Sequence, residues 1–327
     1  LKIQILVLLS LLLIQKTNFA QDTVKANTIY TGIINIVEED FKFPMIGIVN
    51  IANGNFECLQ LGFYNFIKGN HQGAQIGFVN TALGKIEGAQ LGYINYCNSD
   101  IKGVQAGFVN ANNGKIEGAS FGFVNISNDS IDGGQFGFVN ISNKSTDGIN
   151  AGFINLNGED FDGAQFGFVN INANKIDGAQ FGFINISKKL KGLQLGFVNI
   201  VDSLEKGIPI GFLSIVGKNG YQALGVYTDE FNPFNLSFRI GVKKLYTSFS
   251  VSYNHLEEEN NLNFGMGIGS IINLSEKLFF NPEISSSSNS GSWGKEYKTF
   301  TSLNLAMGYN ITSKLHFSFG PSISHSH

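Results

Sequence analysis

Ile131-Asp132-Gly133-Gly134-Gln135-Phe136-Gly137-Phe138-Val139-Asn140-Ile141 runs into Ser142-Asn143-Lys144-Ser145, and variants of this unit fill more than half of the chain. Its anchor glycine recurs at Gly32, Gly47, Gly62, Gly77, Gly92, Gly107, Gly122, Gly137, Gly152, Gly167, Gly182, Gly196 and Gly211, spaced by 15 residues with one interval of 14. Ile or an aromatic residue follows, then usually Val or Ile, then Asn in 12 of 13 copies, with Ser214 in the last. Ten copies carry Gly four residues before the anchor and eight carry Gln two residues before it. Self-similarity at a fixed period marks one supersecondary unit repeated in tandem.

Two architectures use such a unit. In a solenoid each repeat is one coil, and Asn stacks on Asn and Phe on Phe. In an antiparallel meander each repeat is one strand and one turn. Three features favour the meander. Each repeat has one clear turn signal, such as Ser127-Asn128-Asp129-Ser130, Asn112-Asn113-Gly114 or Asn157-Gly158. The unit also reads nearly alike in both directions. Folding the chain about Asn128-Asp129 sets Ile126 against Ile131, Asn125 against Asp132, Val124 against Gly133 and Phe121 against Phe136. Cross-strand pairs of this kind stabilise antiparallel sheets by roughly 0.2–1 kcal/mol each. Finally, the repeats run straight into a tail with antiparallel character.

In the tail, Leu236, Phe238, Ile240 and Val242 alternate with Ser237, Arg239, Gly241 and Lys243. Leu262, Phe264, Met266 and Ile268 alternate with Asn263 and glycines, and Leu303, Leu305, Met307 and Tyr309 with Asn304, Ala306, Gly308 and Asn310. Leu315, Phe317, Phe319 and Ile323 oppose His316, Ser318, Gly320 and Ser322. One face greasy and the other small or polar is the pattern of a strand with lipid on one side and water on the other. Short connections (Lys243-Lys244, 273–277, 312–314) interleave with long polar ones (229–235, 255–261, 286–298), as in outer-membrane barrels.

The fold class expected is therefore all-β: an antiparallel meander closing as an outer-membrane-type β-barrel of about 20 strands. The alternative is a β-solenoid of 15-residue coils followed by a small antiparallel barrel. Strand length suits the barrel, because eleven residues tilted by about 45° stand roughly 25 Å tall. The faces suit it less. The side bearing Phe136 and Phe138 also bears Asp132 and Asn140, and the other bears Gln135, so the lipid-facing side of the repeats stays open.

Composition narrows the function classes. Of 327 residues, 40 are Gly, 30 Phe and 5 Pro; charged residues are 14% and net charge is −3. The chain is too apolar for disorder and has no basic segment for nucleic acid. Lys2, the apolar run 3–14 and the small residue Ala20 before Gln21 read as a secretory signal peptide cut after Ala20. The expected divisions are a signal peptide (1–20), a linker (21–27), the repeat region (28–216) and an amphipathic β-hairpin region (217–327).

The Gly-x-Gln-x-Gly-Phe-Val-Asn unit resembles the tandem surface-repeat proteins of spirochaetes and Bacteroidota, over roughly residues 28–216. That resemblance implies an exported, surface-located protein and no particular activity. The tail is similar to an outer-membrane barrel, although Ser324-His325-Ser326-His327 lacks a terminal aromatic residue.

No residue is assigned to catalysis, cofactor binding or metal binding. Gly265-Met266-Gly267-Ile268-Gly269 resembles a phosphate loop but sits inside an alternating strand with no helix after it. His316, His325 and His327 have no carboxylate nearby in sequence, and no Ser or Cys elbow completes a triad. Glu257-Glu258-Glu259 reads as a solvated loop. Cys58 and Cys97 read as isolated thiols, and Asn125-Ile126-Ser127 as a sequon that merely follows from the repeat. Trp293 and Tyr297 lie in a Ser/Gly-rich loop that could touch lipid headgroups or a surface partner. The expected function is that of a non-enzymatic outer-membrane or surface-repeat protein, a passive pore or structural component; the alternative is a surface adhesion or binding module with a solenoid. The partner expected is outer-membrane lipid, with an extracellular ligand or small solute of unspecified identity, and the location is the outer membrane or cell surface.

Overall fold

The computed structural model describes residues 28–230, 232–253, 262–289 and 299–326. The expected signal peptide (1–20) and linker (21–27) lie outside the described residues. Two β-sheets account for the fold. The first runs in chain order from Tyr30–Val37 to Leu213–Lys218, every neighbouring pair parallel. The second, from Tyr221–Tyr227 to Ser322–Ser326, is antiparallel throughout.

The repeats are therefore coils of a parallel solenoid and not legs of a meander. The single closed barrel of about 20 strands is overturned, and the solenoid alternative describes the chain. None of the mirror pairs forms: Ile126 sits between Ala111 and Ile141, and Ile131 between Ile116 and Thr146. Each residue lies beside its own equivalent fifteen positions away, so Asn125, Asn140 and Asn155 fall in one column. The short interval is absorbed locally. Register slips by one between Asn172 and Lys175, and is restored between Leu190 and Lys191.

The cause lies in which side chains turn inward. In a straight strand, residues an odd number apart face opposite sides. Gln135 and Asn140 are five apart, yet both are fully buried. The chain must bend between them, and it does so at Gly137-Phe138, where Phe138 drops out of the pairing register. A second bend uses Gly133, whose φ of +138° is disfavoured for residues with a Cβ. The third is the polar turn 143–145. The glycines that read as small strand residues are thus corners. Gly137 has a further duty: a Cβ there would collide with the carbonyl of Gly122 and crowd the amide of Asn125.

The interior is a stack of columns. Ile86, Ile101, Ile116 and Ile131 form an apolar one, with Phe56 and His71 toward one end and Phe161, Ile176 and Leu190 toward the other. Two amide columns lie beside it. Asn125 Nδ2 donates to Asn140 Oδ1 at 2.9 Å and to the Phe136 carbonyl at 3.0 Å. The same pair of bonds recurs from Asn35 to Asn185, and Asn199 ends the column on Ser214. Each Asn thus satisfies its own amide and the carbonyl next to the following corner, so a buried amide carries little desolvation penalty. The Gln column is interrupted: Gln60, Gln75, Gln90 and Gln105 are linked, as are Gln165, Gln180 and Gln194, while Ser120 and Asn150 are too short to bridge.

The tail forms a curled, open antiparallel sheet among the described residues. Strands Phe234–Val242, Leu245–Tyr253 and Leu262–Gly269 are bonded in sequence, then Leu278–Asn289 and Thr299–Asn310. The expected alternation holds. Leu236, Phe238, Phe264, Met266 and Ile268 are exposed, while Ser237, Ser248, Ser252, Asn263 and Asn281 are buried. Ile240 and Val242 depart from it because the solenoid covers that end; Val242 joins Val201 and Val216 of the last coils in one buried cluster.

Candidate binding surface

Each coil leaves the same side chains outside. Going round the coil of Gly137, Asp132 faces out before the Gly133 corner, then Phe136, then Phe138, with Ile141 half-buried. Stacked coils turn each position into a row. Phe63, Phe78, Tyr93, Phe108, Phe123, Phe138, Phe153, Phe168, Phe183, Phe197 and Phe212 make a column of eleven rings. Neighbouring ring centres lie 4.7–5.0 Å apart and their planes differ by no more than 7°. Parallel in-register strands impose that spacing. Across the corner runs a second row of Leu61, Ile76, Leu91, Phe121, Phe166 and Leu195, also exposed.

Charge is absent from this side. Residues 58–67, 73–82, 88–97, 103–112, 118–127, 133–142, 148–157, 163–172, 178–187, 192–201 and 207–216 contain no Asp, Glu, Lys or Arg. The charged groups of these coils are confined to the third bend and the position after it. There Glu57, Glu87, Glu117, Asp132, Asp147 and Asp162 form an acidic row interrupted by Gln72 and Lys102. Exposed pairs such as Lys144–Glu159 (2.8 Å) and Lys191–Asp177 (2.6 Å) link adjacent coils. The solenoid is thus amphipathic about its long axis.

The rings of the column are 38–60% exposed. At such exposure eleven rings present roughly 1,000 Å² of apolar surface. The largest apolar patch on an ordinary soluble monomer is about 300–600 Å², and larger ones mark interaction sites. The solenoid alternative implies this stacking of Phe on Phe, whereas the meander hides it, because recurring Phe fits a barrel strand equally well. The signal that could have found it is the odd separation of Gln135 and Asn140.

The tail holds one compact polar cluster. Arg239 Nη2 lies 3.2 Å from Glu283 Oε2; Tyr246 and Ser248 hydroxyls donate to the same carboxylate at 2.6 and 2.9 Å. Asn281 Nδ2 donates to Tyr246 Oη, and the guanidinium sits 5.5 Å from the Tyr246 ring centre. Every oxygen of Glu283 is engaged, so this cluster ties three strands together and offers no free acid–base pair.

The remaining sequence candidates fall apart in space. Gly265, Gly267 and Gly269 lie in the strand Leu262–Gly269, with no helix following among the described residues. His316 packs edge-on against Phe279, and His325 lies on the strand Ser322–Ser326. Asn125 is buried in its amide column, out of reach of modification. Cys58 and Cys97 are free thiols; burial pushes the Cys97 thiol up to about 12. Burial likewise lowers His71, against the opposing effect of its 3.0 Å contact with the Phe56 carbonyl. Glu257 to Glu259, Trp293, Tyr297 and His327 lie outside the described residues.

These features define a class: a β-solenoid repeat protein that ends in a curled antiparallel sheet. No protein-family model matches the chain, and no curated protein and no solved structure matches it.

Proposed function

We propose that the chain is a non-enzymatic binding module of the bacterial cell envelope, with the uncharged side of the solenoid as its binding surface. The observation that carries this reading is the aromatic column with its neighbouring apolar row, which neither the interior nor the tail covers. The apolar run 3–14, the resemblance to exported surface-repeat proteins and the greasy outer face of the tail support a place at the outer membrane. A pore through the repeats has less support, because buried Gln, Asn and Ile columns fill the space that a lumen would need.

Fractionation tests the reading. The chain should partition with the outer membrane, and a cell-impermeant amine reagent on intact cells should label exposed lysines of the charged side, such as Lys68, Lys85 and Lys144. Recovery in the soluble fraction, unlabelled, would overturn it.

A further inference from the structure

We infer that the uncharged side of the solenoid lies against lipid, so that the coils rest along a bilayer with their charged side turned to water. This rests on the binding-module reading and names the partner of that same surface.

Three observations select lipid. The first is charge. Eleven successive ten-residue windows, each running from the Gly133-type corner past the aromatic column to the polar turn, hold no Asp, Glu, Lys or Arg, so the outward-facing residues on both flanks of that column are uncharged. A face that meets another soluble protein carries a polar, hydrogen-bonding rim. Hydrocarbon asks for none, and penalises every unpaired polar group.

The second is backbone satisfaction. Along the straight segments of the inner coils, in-register pairing with the coil on either side takes up the backbone amides and carbonyls. At the corner under the aromatic column, Phe78 and Val79 amides both donate to the Phe63 carbonyl, at 3.0 and 2.9 Å. Asn65 Nδ2 covers the carbonyl of Ile76 at 2.9 Å. The bend that would otherwise expose polar backbone is therefore sealed, which is what contact with hydrocarbon demands.

The third is continuity. The last ring of the column, Phe212, touches Phe249 of the tail with ring centres 5.4 Å apart. Phe249 pairs with Phe238 and Met266, so it belongs to the tail's greasy face. One apolar surface thus passes from the tail sheet onto the solenoid and continues for roughly 50 Å at the strand spacing. A bilayer that takes up the tail's greasy face meets the column next.

The test uses the full chain with vesicles of phosphatidylethanolamine and phosphatidylglycerol. The unaltered chain should float with the vesicles. The triple variant Phe123→Ser, Phe138→Ser, Phe153→Ser should lose more than about tenfold in vesicle affinity while keeping its circular dichroism. A milder pair of reporters serves if that variant does not fold. In a Trp293→Phe background, Phe138→Trp should shift its emission to the blue on vesicle binding and be quenched by brominated acyl chains; Lys144→Trp should do neither. If the triple variant floats undiminished and the Phe138→Trp emission is unmoved, only the tail meets lipid; the inference falls while the envelope reading stands. If the lipid-free chain is a dimer by sedimentation and the triple variant a monomer, with vesicles leaving both reporters unchanged, a second copy covers the face and the inference falls. If the unaltered chain neither floats nor fractionates with the envelope, both readings fall.

Discussion

Phe212 and Phe249 meet edge to face, with planes at 67°, whereas Phe197 and Phe212 stack at 7°. The change of geometry marks the change of architecture. Parallel coils hold successive rings at the strand repeat, and the antiparallel tail presents its ring across the end of the stack. Near this contact Thr247 Oγ1 donates to the Gly211 carbonyl at 3.1 Å. Among the described residues, an aromatic contact, a hydrogen bond and a small buried cluster around Val216 and Val242 thus join the solenoid to the tail.

That joint predicts energetic coupling. Phe212→Ala and Phe249→Ala, alone and together, should give a coupling of about 0.5–1.5 kcal/mol in denaturant unfolding. Strict additivity would show that the rings merely lie near each other.

The interrupted amide column predicts a stabilising substitution. Both side-chain atoms of Asn150 lack partners, as do Gln135 Oε1 and Gln165 Nε2 on either side. Asn150→Gln extends the side chain by one methylene, enough to donate to Gln135 and accept from Gln165 as the intact stretches do. Stability should rise by about 1–3 kcal/mol. An unchanged or lowered unfolding midpoint refutes the column as an energetic unit.

Breaking an intact column should cost more. Asn140→Leu removes one of the two acceptors of the Asn125 amide and the side-chain donor to both the Asn155 oxygen and the Ala151 carbonyl. A loss of about 3–5 kcal/mol is expected from those buried groups together. A loss below about 1 kcal/mol, read from the same unfolding curves, would mean that the column is dispensable.

Acid should weaken the solenoid through His71. Its folded pKa is lowered by burial, so the unfolded state takes up a proton first as pH falls below about 6.5. The associated stability is intact above that pH and is lost progressively below it, toward the folded pKa. His71→Ile, which continues the column of Ile86, should flatten that part of the stability profile between pH 7 and 5. A profile identical to that of the unaltered chain would assign the acid sensitivity elsewhere.

Thiol chemistry checks the interior. Cys97 is fully buried with its pKa pushed up to about 12, whereas Cys58 is half-buried. At pH 8 a thiol reagent should modify Cys58 well before Cys97 in the folded chain, and both at similar rates in denaturant. Rapid labelling of Cys97 under native conditions would show that the coils open there.

Some of this is legible in the amino-acid sequence alone. The period of 15 is written in the glycines, and the tail's alternation of Leu236 with Ser237 or Phe264 with Gly265 predicts the exposure found. The direction of the repeats was not legible in the same way. Ile126 facing Ile131 satisfies local pairing as well as Ile126 beside Ile141 does, and a polar loop such as Ser127 to Ser130 serves as a hairpin turn or as one corner of a coil. Gly133 and Gly137 read as small residues in a strand until their bends are seen. The candidate surface shared that ambiguity, since a row of Phe138 equivalents exists only if the coils run the same way.

The amino-acid sequence by itself determined a tandem β unit, its length, and a tail with one greasy and one polar side. Those properties follow from short-range spacing, which depends only on the chain. Tertiary structure decided that Gln135 and Asn140 share an interior, that each asparagine bonds to its own copy, and that the aromatic rings gather into one uncharged column. Those depend on register between segments fifteen residues apart, and there the buried amides favour like beside like, because only that arrangement supplies a donor and an acceptor to every member of the column.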